Sequence, residues 1–309
     1  MRKQKSCTPF EIRQILSASA HTYALHRHAD MDCIACAYAL QKEFGGTVWG
    51  PGGLDRGAKL LQQLFSIDMS DAPGPPRLVV LDTPEITQFD GMWEEIVLID
   101  HHPSATPEAD FFYVDESAHS CSEMVYGIIS EHIDRNTAIA LLAGILYDTG
   151  RLKRGSATTL SICASLLSAS GMELDQLIQL TSEEREISET VAVLKGLERM
   201  KHEIYADTVI GITAVSAFES SVASAMLHAG VNVAFVISQK EEKVRVTGRA
   251  DRHALDVGID LNEIMRVAAS EFGGEGGGHP GAAVLEFNGD GEAVALALAA
   301  LCRERLRAS

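Results

Sequence analysis

Along the first half of the chain, short runs rich in β-branched and apolar residues alternate with stretches whose apolar positions recur every three or four residues. The runs at 23–25, 47–50, 78–82, 96–100 and 111–114 predict strands. The three-to-four spacing predicts helices over 34–43, 59–64, 122–132, 137–146 and 158–168, with Ser120 or Ser122 as the cap of the third. Strands that alternate with helices imply a parallel sheet with crossover helices. From Glu183 to Lys201 the pattern turns charged, with Ile187, Val191, Leu194 and Leu197 three or four residues apart. That spacing predicts an amphipathic linker helix. Strand patterns resume at 209–215, 233–237 and 244–247, and helical ones at 220–229, 261–271 and 292–305. The expected architecture is therefore α/β: a parallel-sheet domain over 1–182, a linker helix over 183–201, and a smaller α/β domain over 202–309.

Length and composition fit this picture. A chain of 309 residues with 46% hydrophobic content can bury two ordinary cores. No apolar run reaches the roughly 18 residues that a membrane span needs, and Glu11, Arg13 and Gln14 interrupt the basic N-terminus where a secretory signal would be apolar. Cysteines at 7, 33, 36, 121, 163 and 302 form no disulfide framework, which predicts reduced thiols and a cytoplasmic protein. Cys33 and Cys36 make a C-x-x-C, but they fall in the first turns of an expected helix, where small core positions are the simpler role. A net charge of −17 opposes binding of a long duplex and favours a short or small phosphate-bearing substrate.

Four clusters of Asp and His change the reading from fold to chemistry. They are His26-Arg27-His28-Ala29-Asp30-Met31-Asp32, Leu81-Asp82-Thr83, Asp100-His101-His102 and Tyr147-Asp148-Thr149-Gly150, and each borders an apolar element. One Asp after a strand ordinarily caps the next helix. Four such clusters at element ends can share the crevice at the carboxyl edge of an open sheet. Packed like charges cost stability unless a cation neutralises them, and mixed carboxylate and imidazole donors suit Mn(II), Mg(II) or Zn(II). The pattern points to a two-metal hydrolase.

The second half carries one strong local signal, Gly273-Gly274-Glu275-Gly276-Gly277-Gly278-His279. Successive glycines uncover backbone N–H groups and permit positive φ, so the chain can approach a phosphate, with His279 as a further donor. The plainer alternative is a flexible loop with an incidental His. Arg249, at the end of an expected strand, suits a bidentate phosphate pair or a surface ion pair.

In order, the motifs H-x-x-x-D-x-D at 26–32, Asp82, D-H-H at 100–102, D-T-G at 148–150 and G-G-G-H at 276–279 resemble the DHH phosphoesterase superfamily with its DHH-associated C-terminal domain, in the NrnA-like and RecJ-like branches. The resemblance implies a site in the cleft between the domains and two Mn(II) ions, with Mg(II) or Co(II) as alternatives. It implies His26, Asp30 and Asp82 as ligands of one ion, and Asp32, Asp82, His101 and Asp148 as ligands of the other, with Asp82 bridging. His102 is then the donor or general acid facing the scissile phosphate, and Asp100 orients the neighbouring imidazoles. Arg249, Gly276, Gly277, Gly278 and His279 hold the substrate's other phosphate or terminal nucleotide.

The implied activity is hydrolysis of short single-stranded oligonucleotides or small nucleotides such as 3′-phosphoadenosine 5′-phosphate. Cyclic dinucleotides, single-strand exonuclease substrates and pyrophosphate are alternatives within the same chemistry, and a non-catalytic nucleotide-binding protein is the alternative of another class. Two departures from the family pattern stand out. Ala29 replaces the usual Pro, leaving the loop without proline's fixed φ, and Arg151-Leu152-Lys153-Arg154 occupies the stretch where NrnA-like members often carry a base-stacking aromatic. The small-residue apolar helix over 294–301 suits either internal packing or a homodimer contact.

Overall fold

Strand β5 (Arg77–Leu81) shows why the first half of the chain builds a parallel sheet. Val79 and Leu81 enter one core while Leu78 and Val80 enter another. A strand apolar on both faces is stable only with both faces covered, as parallel sheets are. In this computed structural model, which describes residues 4–103, 108–129, 133–182 and 186–308, β5 lies between β2 (Thr22–Ala24) and β6 (Glu95–Asp100). The seven-stranded order continues through β7 (Phe111–Val114) to β1 (Lys5–Ser6) on one side, and through β3 (Thr47–Trp49) to β4 (Met69–Ser70) on the other. All neighbours are parallel.

The larger core packs α1 (Pro9–Ala18), α2 (Met31–Phe44), α4 (Cys121–Ile129) and α5 (Arg135–Asp148) against one face of this sheet, with α3 (Arg56–Phe65), α6 (Ala157–Ser170) and α7 (Leu174–Leu180) around them. Ile86, Phe89 and Trp93 help to cover the other face. Helix α2 starts where Asp30 Oδ1 accepts the N–H groups of Asp32 and Cys33, and ends at Gly45, whose φ of 72° few other residues adopt cheaply. Of the two candidate caps for α4, Ser120 is the one used, since its Oγ accepts the Glu123 N–H. Residues 130–132 of that expected helix lie outside the described residues. All six cysteines are free and buried, Cys33 and Cys36 among the core positions of α2.

The chain divides into two compact units, Met1–Glu183 and Glu184–Ser309. Residues 183–185 of the expected linker lie outside the described residues. Helix α8 (Ile187–Arg199) packs within the second unit, where Gly196 sits so close to Val222 that an added Cβ would meet Val222 Cγ1 at 2.4 Å. The six-stranded second sheet has the order β12 (Glu275–His279), β13 (Ala282–Asn288), β11 (Lys243–Ala250), β10 (Val233–Lys240), β9 (Thr208–Ala214), β8 (Lys201–Tyr205). Only β9 and β10 run parallel. Helices α9 (Glu219–His228), α10 (Arg252–Asp256), α11 (Leu261–Phe272) and α12 (Gly291–Ala308) complete this unit. Within α12, Val294, Leu298 and Cys302 are buried in the unit's own core, so the small-residue stretch packs internally on that face and leaves Leu296 exposed. Among the described residues no helix is long and apolar enough to cross a membrane.

The loop reading of the glycine run is corrected. Glu275–His279 forms edge strand β12, because its missing side chains let it lie directly on α11: a Cβ at Gly276 would meet Met265 O at 2.4 Å. Side-chain bulk, more than chain stiffness, is what glycine removes at that position.

Candidate metal centre

The carboxyl ends of three adjacent strands deliver the first set of polar side chains. His26 follows β2, Asp82 follows β5, and Asp100, His101 and His102 end or follow β6, in the spatial order β6-β5-β2. Helix α2 adds Asp30 and Asp32 at its N-terminus, and α5 adds Asp148 at its C-terminus. Asp82 turns at φ 57°, a left-handed conformation rare outside glycine, with its N–H donated to Ile99 O at 3.0 Å. Strain of this kind concentrates at functional sites.

Each side chain is held by a specific partner. Asp30 uses Oδ1 to cap α2, so its role as a helix cap leaves the second oxygen available. Asp32 is fully buried, its Oδ2 accepting the Cys121 N–H at 2.6 Å and its Oδ1 the Ser122 N–H at 3.0 Å, at the N-terminus of α4. The helix dipole favours a carboxylate there. Gly144 makes room for it: a Cβ at 144 would meet Ser122 Oγ at 2.3 Å and Asp32 Oδ1 at 2.5 Å. Asp148 sits at the unfavourable, negative end of its helix, with its carbonyl accepting from Arg154 Nη2.

Asp100 orients one imidazole of the two: His102 Nδ1 lies 2.9 Å from Asp100 Oδ1. His101 Nδ1 pairs instead with Ala118 O at 3.3 Å, which aims its Nε2 at Asp82 Oδ1 and Asp148 Oδ2, each 3.2 Å away. The expectation that Asp100 positions both rings is therefore corrected, because the backbone carbonyl of Ala118 occupies the other His101 nitrogen.

Two groups of donor atoms result, each with its atoms within 4.8 Å of one another. His26, Asp30 and Asp82 form one, and Asp32, Asp82, His101 and Asp148 the other, with Asp82 in both; Asp82, His101 and His102 also meet this spacing. Burial, then the neighbouring Asp82 charge, pushes Asp30 up to about 6. Burial first, and then Asp82 and Asp148, pushes Asp32 well above the carboxylate range, and burial raises Asp82 as well. Burial would lower His101, yet the flanking Asp148 and Asp82 outweigh it and raise this imidazole to about 11. His102 is raised by its bond to Asp100. Carboxylates crowded into a dry pocket resist ionisation unless cations offset them. Among the described residues, Asp82 Oδ1 and His101 Nε2 are buried without a well-directed hydrogen bond. Oxygen and imidazole donors with orphaned, inward-facing atoms fit divalent cations.

The loop that carries Ala29 is tightly held despite lacking proline. Ala29 is buried, donates its N–H to Gly53 O, and accepts from Asp55 N–H. Beyond Asp148, Gly150, Arg151 and Leu152 all take positive φ, with Leu152 packed against the core and Arg151 Nη2 donating to Ser182 Oγ. In the second unit, Arg249 pairs across β11 and β13 with Ala282, which pairs in turn with His279 on β12, so Arg249 and His279 occupy one row of the sheet. Two interstrand spacings put their backbones roughly 9–10 Å apart. Arg249 Nη2 donates to Ser220 Oγ, its buried Nε has no hydrogen-bond partner among the described residues, and Gly278 N–H donates to Asn262 Oδ1.

Gly144 and Gln88 were not singled out from the sequence. A glycine inside the apolar run before Asp148 is a signal of close packing; nothing in the sequence marks Gln88, whose Nε2 donates to Thr83 Oγ1 and Glu85 O while its Oε1 accepts the Arg27 N–H.

Residues 23–145 match the DHH family, N-terminal domain, and residues 213–304 match the DHHA1 domain. Uncharacterized protein MJ0988 of Methanocaldococcus jannaschii is 30% identical over 293 residues, 87% of each chain. The bifunctional oligoribonuclease and PAP phosphatase NrnA of Bacillus subtilis is 30% identical over 147 residues, 42% of this chain and 47% of NrnA. Among solved structures, an exopolyphosphatase-related protein from Bacteroides fragilis superposes with a TM-score of 0.71 at 16% identity, covering 97% of this chain and 96% of its own. That likeness speaks to the fold alone. With both domain matches, a relative of this identity and coverage, and the carboxylate–imidazole groups at one sheet edge, the chain belongs to the DHH superfamily of phosphoesterases.

Proposed function

We propose that this protein hydrolyses short oligonucleotides or small nucleotides, of the nanoRNA or 3′-phosphoadenosine 5′-phosphate type, with two divalent cations, Mn(II) by preference. The observation that supports the reading most is the pair of donor groups sharing the Asp82 carboxylate. The NrnA relative, named for both activities, supports the substrate class over the region it matches. In this reading His26, Asp30 and Asp82 hold one cation, and Asp32, Asp82, His101 and Asp148 hold the other. Bound there, the cations supply Lewis-acid charge and an activated water nucleophile at neutral pH.

The chain's own residues do the rest. Asp100 keeps one tautomer and orientation of His102, so the ring's other nitrogen can donate to a phosphoryl oxygen or to the leaving group. A donor fixed before the reaction stabilises growing charge without reorganising. Ala118 O holds His101, and the α4 backbone holds Asp32, so the two ligands keep their aim without the substrate's help. Arg249, His279 and the Gly276–Gly278 backbone bind the terminal nucleotide. A non-catalytic nucleotide-binding role would tolerate loss of ligands, and all six are in place.

The test is a manganese assay of short RNAs, short DNAs, 3′-phosphoadenosine 5′-phosphate, cyclic dinucleotides and pyrophosphate. Fastest turnover of a short oligonucleotide or of the bisphosphate is the expected result. Pyrophosphate or a cyclic dinucleotide ranking first would replace the reading, and no hydrolysis despite bound metal would move it to a nucleotide-binding role.

A further inference from the structure

Beside the His26, Asp30 and Asp82 group lies a hollow of about 560 Å³, whose wall also includes His102, Thr83, Glu85, Gln88 and Arg27. Arg27 is exposed, and its guanidinium takes no partner among the described residues. Its backbone, in contrast, is fixed from two sides. Its N–H donates to Gln88 Oε1 at 2.9 Å, and Gly52 lies so close that an added Cβ would meet Arg27 Cα at 2.5 Å. Gln88 is anchored in turn to Thr83 Oγ1 and Glu85 O, next to Ile86 and Phe89, which are buried in the core under that face of the sheet. A long cationic side chain on an immobilised base, next to a proposed cation ligand, is a ready seat for an anion.

In the reading above the cations and His102 face the scissile phosphate, so the anion left for Arg27 is a different one. A guanidinium fork matches a second phosphate in a way that a point charge does not. Among the described residues of that wall, which also carries Glu85, Arg27 is the one arginine or lysine, so a phosphate seated there would pair with it. We propose that Arg27 is a specificity-determining residue that binds a second, non-scissile phosphate of the substrate within this hollow. The inference rests on the hydrolase reading above and deepens it, since it selects substrates with two phosphates over their monophosphate counterparts.

Two matched pairs test it with manganese: a nucleoside 3′,5′-bisphosphate against the 3′-monophosphate, and a 5′-phosphorylated dinucleotide against its 5′-hydroxyl form. The wild-type protein should favour the doubly phosphorylated member of at least one pair, and the pair affected identifies the source of the phosphate. In Arg27→Ala that preference in kcat/KM should fall about tenfold to a hundredfold, mostly through KM. Arg27→Lys should keep part of it, because charge survives without the fork. An unchanged preference in both pairs overturns the proposal, as does an equal loss for both members accompanied by weaker manganese binding. If the wild-type protein hydrolyses neither pair, the hydrolase reading fails by itself. Calorimetric titration of the manganese-loaded proteins with the bisphosphate and the monophosphate then decides Arg27: selective weakening for the bisphosphate in Arg27→Ala supports the seat, and equal or absent weakening removes it.

Discussion

The two donor groups around Asp82 use the same residue types with different neighbours. In the deep group, Asp32 is fully buried, bonded to two backbone N–H groups and hemmed in by Gly144, while His101 is pinned by Ala118. In the shallow group, His26 and Asp30 are partly exposed and border the hollow that contains Arg27. Backbone N–H groups hold Asp30 as they hold Asp32, so the two groups differ in access more than in how firmly these carboxylates are held. The difference teaches that one sheet edge can carry an enclosed position and one open to a hollow, joined by a single carboxylate.

Removing that carboxylate should have the largest effect and erase the distinction. Asp82→Ala is expected to lower kcat with manganese by at least about a thousandfold, measured by steady-state hydrolysis; wild-type turnover would refute the shared-ligand assignment. The deep group alone should suffer from Gly144→Ala. The new Cβ would press on Ser122 Oγ and Asp32 Oδ1, costing roughly 1–3 kcal/mol in urea unfolding and weakening metal binding. If both stability and affinity stay at wild-type levels, the close packing at Gly144 has no energetic weight.

The shallow group should show itself through pH. Asp30, raised to about 6 from an unfolded value of about 3.9, contributes stability that is fully present below about pH 4 and lost as pH rises through about 6. His101, raised to about 11 from an unfolded value of about 6.5, is protonated in both states through most of that range and adds its slope only above about pH 6. Thermal melts of metal-free protein should therefore decline over this window more in wild type than in Asp30→Asn, which keeps the helix cap. Manganese should reverse the trend in the wild type more than in Asp30→Asn, since its binding strengthens as the Asp30 proton leaves; parallel melting curves would contradict this. The smallest effect is expected from Gln88→Ala, about 1 kcal/mol or less, with a higher KM and unchanged kcat because Arg27 loses its brace. A fall in kcat with KM unchanged would argue against that positioning role.

The parallel sheet was legible in five of its seven strands, short apolar runs followed by a polar break as at Leu78–Leu81 and Ile96–Ile99, whereas the two-residue edge strands Lys5–Ser6 and Met69–Ser70 show no such run. The edge elements of the second sheet were harder to see. Strand β8 is largely exposed, and β12 contains three glycines, so neither shows the alternation by which a strand is recognised. Helix α1 went unpredicted although Thr8 and Glu11 form a capping box, since only Ile12 and Leu16 of its residues are buried.

Sequence by itself determined the inventory at the centre: six carboxylates and imidazoles at element ends, in an order that matches a known superfamily. It did so because ligand chemistry depends on residue type, and strand ends are marked by abrupt changes in polarity. Only the tertiary structure decided which oxygen of Asp30 caps a helix and which stays available, that Ala118 and not Asp100 orients His101, and that a helix N-terminus carries Asp32. Those choices rest on contacts between segments up to 90 residues apart, and their directions exist only once the sheet has brought the segments together.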